Sequence, residues 1–200
     1  MRLMEYSAPR HAADVLMKHF SGCPAEGSVL DVACGSGLVA QLLSSLGFRR
    51  FVGVDSSVAM LEQARITGLY QDLRPALLGT EALPTDPGAF DVVLVLGGLS
   101  PGFIPVSAVR EFCNAAKPGG LVCLSRGSYP DPALTSYTED LHAELGRLEA
   151  EGLWSRLEVR PVERYLLDPH GNCSGSEQCY ISGTVYLFKT KPKTKDVNEA

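Results

Sequence analysis

The chain is poor in what a metal centre or a crosslinked scaffold requires. It has four histidines, and its six cysteines, at 23, 34, 113, 123, 173 and 179, contain no Cys-x-x-Cys pair. Neither a zinc site nor a disulfide framework is expected. Cys113 and Cys123 fall in apolar stretches, where a thiol packs as a small apolar group. An excess of positive charge is also missing. A net charge of −5 argues against a broad surface for nucleic acid, which leans on clustered Lys and Arg. No uncharged run approaches the ~20 residues that cross a bilayer. The first twenty residues carry Arg2, Glu5, Arg10, His11, Asp14 and Lys18, which leaves no apolar signal segment. These absences imply a soluble chain without a membrane partner, with the cytoplasm as its expected location and the nucleus still open.

What is present suffices for one core. With 200 residues, 45% of them hydrophobic, the chain is read as a single domain over residues 1–188 and a Lys-rich tail, expected to be disordered, over 189–200. Apolar residues at helical spacing open the chain, up to Ser21-Gly22. A short apolar strand follows over 28–33, then a Gly-rich turn and a helix led by Leu38 and closed by Gly47. Residues 51–54 form a second strand ending in Asp55, and Val58, Met60, Leu61 and Ala64 carry the next helix. A third strand is placed at 75–78. The run FDVVLVL at 90–96 is a strong fourth strand, apolar on both faces as a central parallel strand should be. A helix starting at Pro105 leads to a fifth strand at 121–124. The last third differs: an amphipathic helix over 138–151 precedes two extended stretches, 154–167 and 180–188, joined through a Gly-, Ser- and Asn-rich segment. The expected fold is α/β, a doubly wound, Rossmann-like, mostly parallel sheet with an antiparallel C-terminal hairpin at one edge.

In such a sheet a ligand lies beyond the carboxyl ends of the strands, near the place where strand order reverses. The turn after the first strand, Asp31-Val32-Ala33-Cys34-Gly35-Ser36-Gly37, is that place. Small residues at Ala33, Gly35 and Gly37 let the backbone approach a ligand, and the helix from Leu38 offers it free N–H groups. Asp55, at the end of the second strand, is placed to accept hydrogen bonds from ribose hydroxyls. The segment from Gly35 to Ala40 also fits the Gly-x-Gly-x-x-Ala form of the dinucleotide fingerprint. Asp31 weighs against that reading, because a carboxylate at this turn repels a pyrophosphate and suits the ammonium and sulfonium of S-adenosylmethionine. Asp31 as a carboxylate capping the turn is the plainer alternative. None of the seven tyrosines has Lys four residues later, so the Tyr-x-x-x-Lys pair of short-chain dehydrogenases is missing.

Four segments together, VLDVACGSGLVA at 29–40, VGVDSSVAMLEQA at 52–64, FDVVLVL at 90–96 and KPGGLVCL at 117–124, resemble the successive motifs of class I methyltransferases. The resemblance covers about the first two thirds of the chain and implies S-adenosyl-L-methionine as cofactor, with S-adenosyl-L-homocysteine as product. It further implies that Asp31 and the backbone of Ala33 and Gly35 hold the methionine end, with Gly37 in the same turn, and that Asp55 holds the ribose. Ser56 and Met60 would border the adenine, Thr80 and Glu81 would lie near its amino edge, and Leu96 would contact the aminocarboxyl group. Thr80 departs from the acid many relatives carry there. Relatives also carry a tyrosine-containing segment ahead of the first helix seen here, for which Tyr6 and Arg10 are the available substitutes.

The expected activity is methyl transfer to a small molecule or to a protein side chain, without a metal. The alternatives are an inactive S-adenosylmethionine-binding module, serving as a sensor or a partner subunit, and a nicotinamide-dependent oxidoreductase. Neither a general base nor an oligomeric state is read from the sequence. Residues 97–102 and 126–132 are expected to shape the acceptor opening, with Arg126 and Tyr129 either touching substrate or serving as loop residues. Met60 is as much a core candidate as an adenine neighbour, His142 reads as structural, and Trp154 as an anchor for the last helix.

Overall fold

The computed structural model describes residues 6–129, 131–168 and 179–192. The elements run α1 (Ala8–His19), β1 (Ser28–Val32), α2 (Leu38–Ser45), β2 (Arg50–Asp55), α3 (Val58–Ile66), β3 (Tyr70–Pro75) and β4 (Phe90–Leu96). After a 3₁₀ turn at Val106–Ala108 come α4 (Val109–Ala115), β5 (Ala116–Gly127), α5 (Pro132–Ala150), β6 (Trp154–Leu167) and β7 (Tyr180–Thr190). The strands form one sheet in the order β3-β2-β1-β4-β5-β7-β6. Neighbours from β3 to β5 pair parallel, whereas β7 pairs antiparallel with both β5 and β6. Strand order reverses between β1 and β4, so the crevice for a ligand lies above their carboxyl ends.

The two sheet faces carry separate cores. On one, Leu30, Val93, Val95 and Leu124 pack under α4 and α5 through Phe112, Leu141, Leu145 and Leu148. On the other, Val29, Val92, Leu94 and Cys123 pack under α1 and α2 through Ala12, Leu16, Val39 and Leu43. Alternation along β1 and β4 produces both faces at once, which is why those strands read as unbroken apolar runs. Trp154 stacks on Phe188 with ring centroids 4.2 Å apart, and its indole N–H donates to the Leu145 carbonyl. The last helix is thereby tied to the edge strands. Hydrogen bonding of His142 with the Tyr186 hydroxyl at 2.8 Å gives that histidine a structural place.

Several boundaries differ from the sequence expectation. The third strand occupies Tyr70–Pro75 rather than 75–78, because an edge strand exposed along much of its length needs no apolar run. Ala76 and Leu78 belong to the loop after it, where they are buried. β5 is longer than expected, since β7 pairs with it from Leu121 to Gly127. The expected tail loses its first two residues to β7, where Thr190 is buried and its hydroxyl bonds the Lys117 and Gly120 carbonyls. Residues 193–200 and the hairpin connection at 169–178 lie outside the described residues. Cys179 is disulfide-bonded, which the cysteine spacing did not indicate. Among the described residues no helix is long and apolar enough to cross a membrane, and no cluster of metal-ligating side chains occurs.

Leu94, 1% exposed on the central strand, tests the second core. Leu94→Ala is expected to cost about 2–5 kcal/mol of unfolding free energy, seen as a lower urea midpoint at an unchanged slope.

Candidate functional site

A cavity of about 900 Å³ opens above the carboxyl ends of β1, β2, β4 and β5. Its β1 side is a strained turn. Ala33 (φ 54°), Gly35 (φ 53°) and Gly37 (φ 86°) all adopt the left-handed conformation, and Ala33 is the one non-glycine among the described residues to do so. That geometry costs an L-residue roughly 1–2 kcal/mol and persists only where the surroundings enforce it. The enforcement is visible: the Cys34 N–H donates to the Val54 carbonyl at 3.1 Å, and the Gly35 N–H donates to Asp55 Oδ2 at 2.8 Å. Asp55 Oδ1 accepts from the Ser57 N–H at 2.9 Å. One carboxylate therefore fixes the β1 turn and the start of α3 together. A Cβ added at Gly35 would meet nothing within 4 Å, so the space above the turn is open.

Of the residues singled out from sequence, Ala33, Gly35, Asp55, Ser56, Met60 and Leu96 line the cavity. Asp31, Gly37, Thr80 and Glu81 do not. Asp31 is 1% exposed and accepts a hydrogen bond from the Tyr70 hydroxyl at 2.7 Å, beneath the turn rather than above it. Burial pushes its carboxyl up to about 7, against the lowering effect of the Tyr70 hydrogen bond and with the Asp55 charge adding to the rise. Gly37 serves the same understructure, since a Cβ there would stand 3.0 Å from the Tyr70 ring. Thr80 and Glu81 hold the loop after β3 from outside: the Thr80 hydroxyl donates to the Leu77 carbonyl, and Glu81 accepts from the Leu77 N–H, each at 2.8 Å. Leu77 and Leu78 of the same loop line the cavity.

The far end is built by Gly97 and Gly98, within the stretch expected to shape the opening, by Tyr6, and by Tyr165, which the sequence reading missed. Gly97 (φ 80°) and Gly98 follow β4 directly, and side chains there would collide with the Tyr6 hydroxyl and with Ala33 and Ile104. Two glycines directly after a strong strand were the legible signal for this close approach. Tyr165 of β6 meets the Ser125 hydroxyl at 3.0 Å and the Tyr6 hydroxyl at 3.3 Å. Burial raises both tyrosine hydroxyls above their ordinary range, so both keep their protons at neutral pH. Arg126 and Tyr129 also line the cavity, while Arg10 does not.

Comparison with known proteins agrees with this geometry. Residues 29–120 match a family described as a methyltransferase domain. Human methyltransferase-like protein 27 is 47% identical over 159 residues, covering 80% of this chain and 64% of its own length. A ubiquinone biosynthesis O-methyltransferase of Albidiferax ferrireducens is 36% identical over 108 residues, 52% of this chain and 42% of that protein. The chain thus spans less than two thirds of the length of either relative. Among solved structures, a TehB-like SAM-dependent methyltransferase from Corynebacterium glutamicum superposes with a TM-score of 0.60 at 17% identity, over 94% of this chain and 89% of that one, and supports the fold alone. The matched segment and the human relative make residues 29–120 similar to the methyltransferase-domain family, and the sheet order gives the chain the class I methyltransferase fold.

Proposed function

We propose that the chain is an S-adenosyl-L-methionine-dependent methyltransferase acting on a small molecule or a single protein side chain. The observation that carries the reading is the pairing of an open left-handed turn with the Asp55 carboxylate at the neighbouring strand end. The residues fit the cofactor. Asp55 retains lone pairs for ribose hydroxyls after accepting its two backbone N–H groups. Met60, Leu38, Leu77 and Leu78 offer apolar surface for an adenine ring, and the Ala33–Gly35 backbone lies where the methionine portion would rest. When bound, the cofactor supplies an electrophilic methyl group on a positively charged sulfur.

The chain's own residues then have two tasks, alignment of the acceptor and exclusion of water. Tyr6, Tyr129, Tyr165 and Leu134 wall the acceptor end. Among the described lining residues Asp55 is the one carboxylate, and it is committed at the ribose end. An acceptor would therefore arrive with its lone pair available rather than be deprotonated by a carboxylate beside it. The ubiquinone relative is named for O-methylation in the biosynthesis of a small molecule, in keeping with the small-molecule arm. The net charge of −5 speaks against a nucleic-acid acceptor.

Calorimetric titration with S-adenosylmethionine, S-adenosylhomocysteine, NAD and NADP should show binding of the two adenosyl sulfur ligands; tight nicotinamide binding without them would overturn the proposal. A radiolabelled methyl group should then pass from cofactor to an acceptor in cell extract, and its failure to do so would favour the inactive binding module. Asp55→Ala should weaken S-adenosylhomocysteine by about 1.5–3 kcal/mol for each charged hydrogen bond lost. Asp31 gives a pH signature. A carboxyl raised to about 7 holds its proton below that pH and loses it above. A cationic ligand over the turn favours the ionised form, so affinity for S-adenosylmethionine should rise from pH 6 to pH 8, and Asp31→Asn should flatten the rise.

A further inference from the structure

Arg126, 5% exposed, is the one cation among the buried charged residues that the structure describes. The buried acids among the described residues are Glu144 and Asp31. Glu144 pairs with Arg147 and Arg110, and Asp31 takes the Tyr70 hydroxyl. Arg126 has no carboxylate within ion-pair distance among the described residues. One guanidinium nitrogen, Nη1, donates to the Thr138 hydroxyl, and the group lies 5.2 Å from the centre of the Tyr137 ring. A buried cation without a counter-charge is costly, and removing it from water is compensated only by a partner of opposite sign. No buried side-chain nitrogen or oxygen among the described residues is without a hydrogen-bond partner, so a guanidinium nitrogen without one keeps accessible surface, and Arg126 lines the cavity.

Position separates this arginine from the adenosyl half of the cavity. β1 and β4 stand between β2, which ends in Asp55, and β5, which carries Arg126. Three strand spacings of about 4.8 Å put the two residues roughly 14 Å apart. Alternation along β5 sends Ser125 to Tyr165 on one face and Arg126 to Tyr137 and Thr138 of α5 on the other. The guanidinium is thus held in place by an aromatic face and a hydroxyl before any ligand arrives. Resting on the methyltransferase reading, we propose that Arg126 is the specificity determinant of the acceptor site and that the acceptor is a small molecule bearing a carboxylate, gripped by the open edge of the guanidinium. A planar carboxylate matches the fork geometry, and the apolar, tyrosine-rich walls suit an aromatic or hydrocarbon body attached to it.

The test uses benzoate and phenylacetate, each against its amide, titrated at millimolar concentration into the wild-type chain with and without saturating S-adenosylhomocysteine. The acids should bind about tenfold or more tighter than the amides. Arg126→Met should abolish that preference while leaving S-adenosylhomocysteine affinity within a fewfold of wild type. Arg126→Lys keeps the charge and loses the fork, so it should keep only part of the preference, which also decides the matter if the Met variant does not fold. Equal binding of acid and amide, no binding of either acid, or an undiminished preference in Arg126→Met would overturn the proposal. Loss of S-adenosylhomocysteine binding in Arg126→Met would also overturn it, assigning the arginine to the cofactor. If the wild-type chain binds no S-adenosylhomocysteine, the methyltransferase reading falls, and the titrations without it still decide the role of Arg126.

Discussion

The site depends on one short hydrogen bond, from the Gly35 N–H to the Asp55 carboxylate. It joins the turn after β1 to the end of β2, and the same side chain caps the start of α3 through Ser57. The parallel pairing of β1 with β2 and β4 brings these groups together, since the registers Asp31↔Gly53 and Asp31↔Leu94 align three strand ends. A turn with three left-handed residues would not hold its shape alone. The sheet supplies the rigidity and the aspartate supplies the tie.

A second carboxylate works from the opposite side. Asp31 and the Tyr70 hydroxyl form a buried pair under the turn, and the Tyr70 ring fills the space that Gly37 leaves. Asp31 is thereby buried in the floor of the turn on which a ligand would rest. Its influence on charge above the turn is through-space, which is why its protonation, rather than its contacts, is the property to follow.

How much was legible follows the strength of the local signal. The strands β1, β2 and β4 and the antiparallel edge pair were readable because apolar runs and Gly-rich turns mark them directly. β3 was misplaced because an exposed edge strand has a polar sequence and the apolar residues after it belong to the cavity loop. Asp31 could not be assigned its partner, since Tyr70 lies 39 residues away and meets it only through β3 pairing with β2. Thr80 and Glu81 were assigned by motif position, whereas the loop turns its Leu77 and Leu78 inward. Tyr165 was invisible for a related reason: its partner Ser125 is on β5, and the two meet only through β7.

The two ends of the cavity therefore differ in how far apart in the chain their parts lie. The end beside Asp55 is assembled almost wholly within the segment from β1 to the loop after β4. The far end needs Tyr6 to meet Tyr165 across 159 positions, with the Ser7 N–H donating to the Tyr165 carbonyl to fix the crossing. Contacts so remote in sequence close late, because the entropy of the intervening loop must be overcome first. In the order of folding, the turn beside Asp55 would be set while the wall formed by Tyr6 and Tyr165 was still open, so the cavity would be closed at one end before the other.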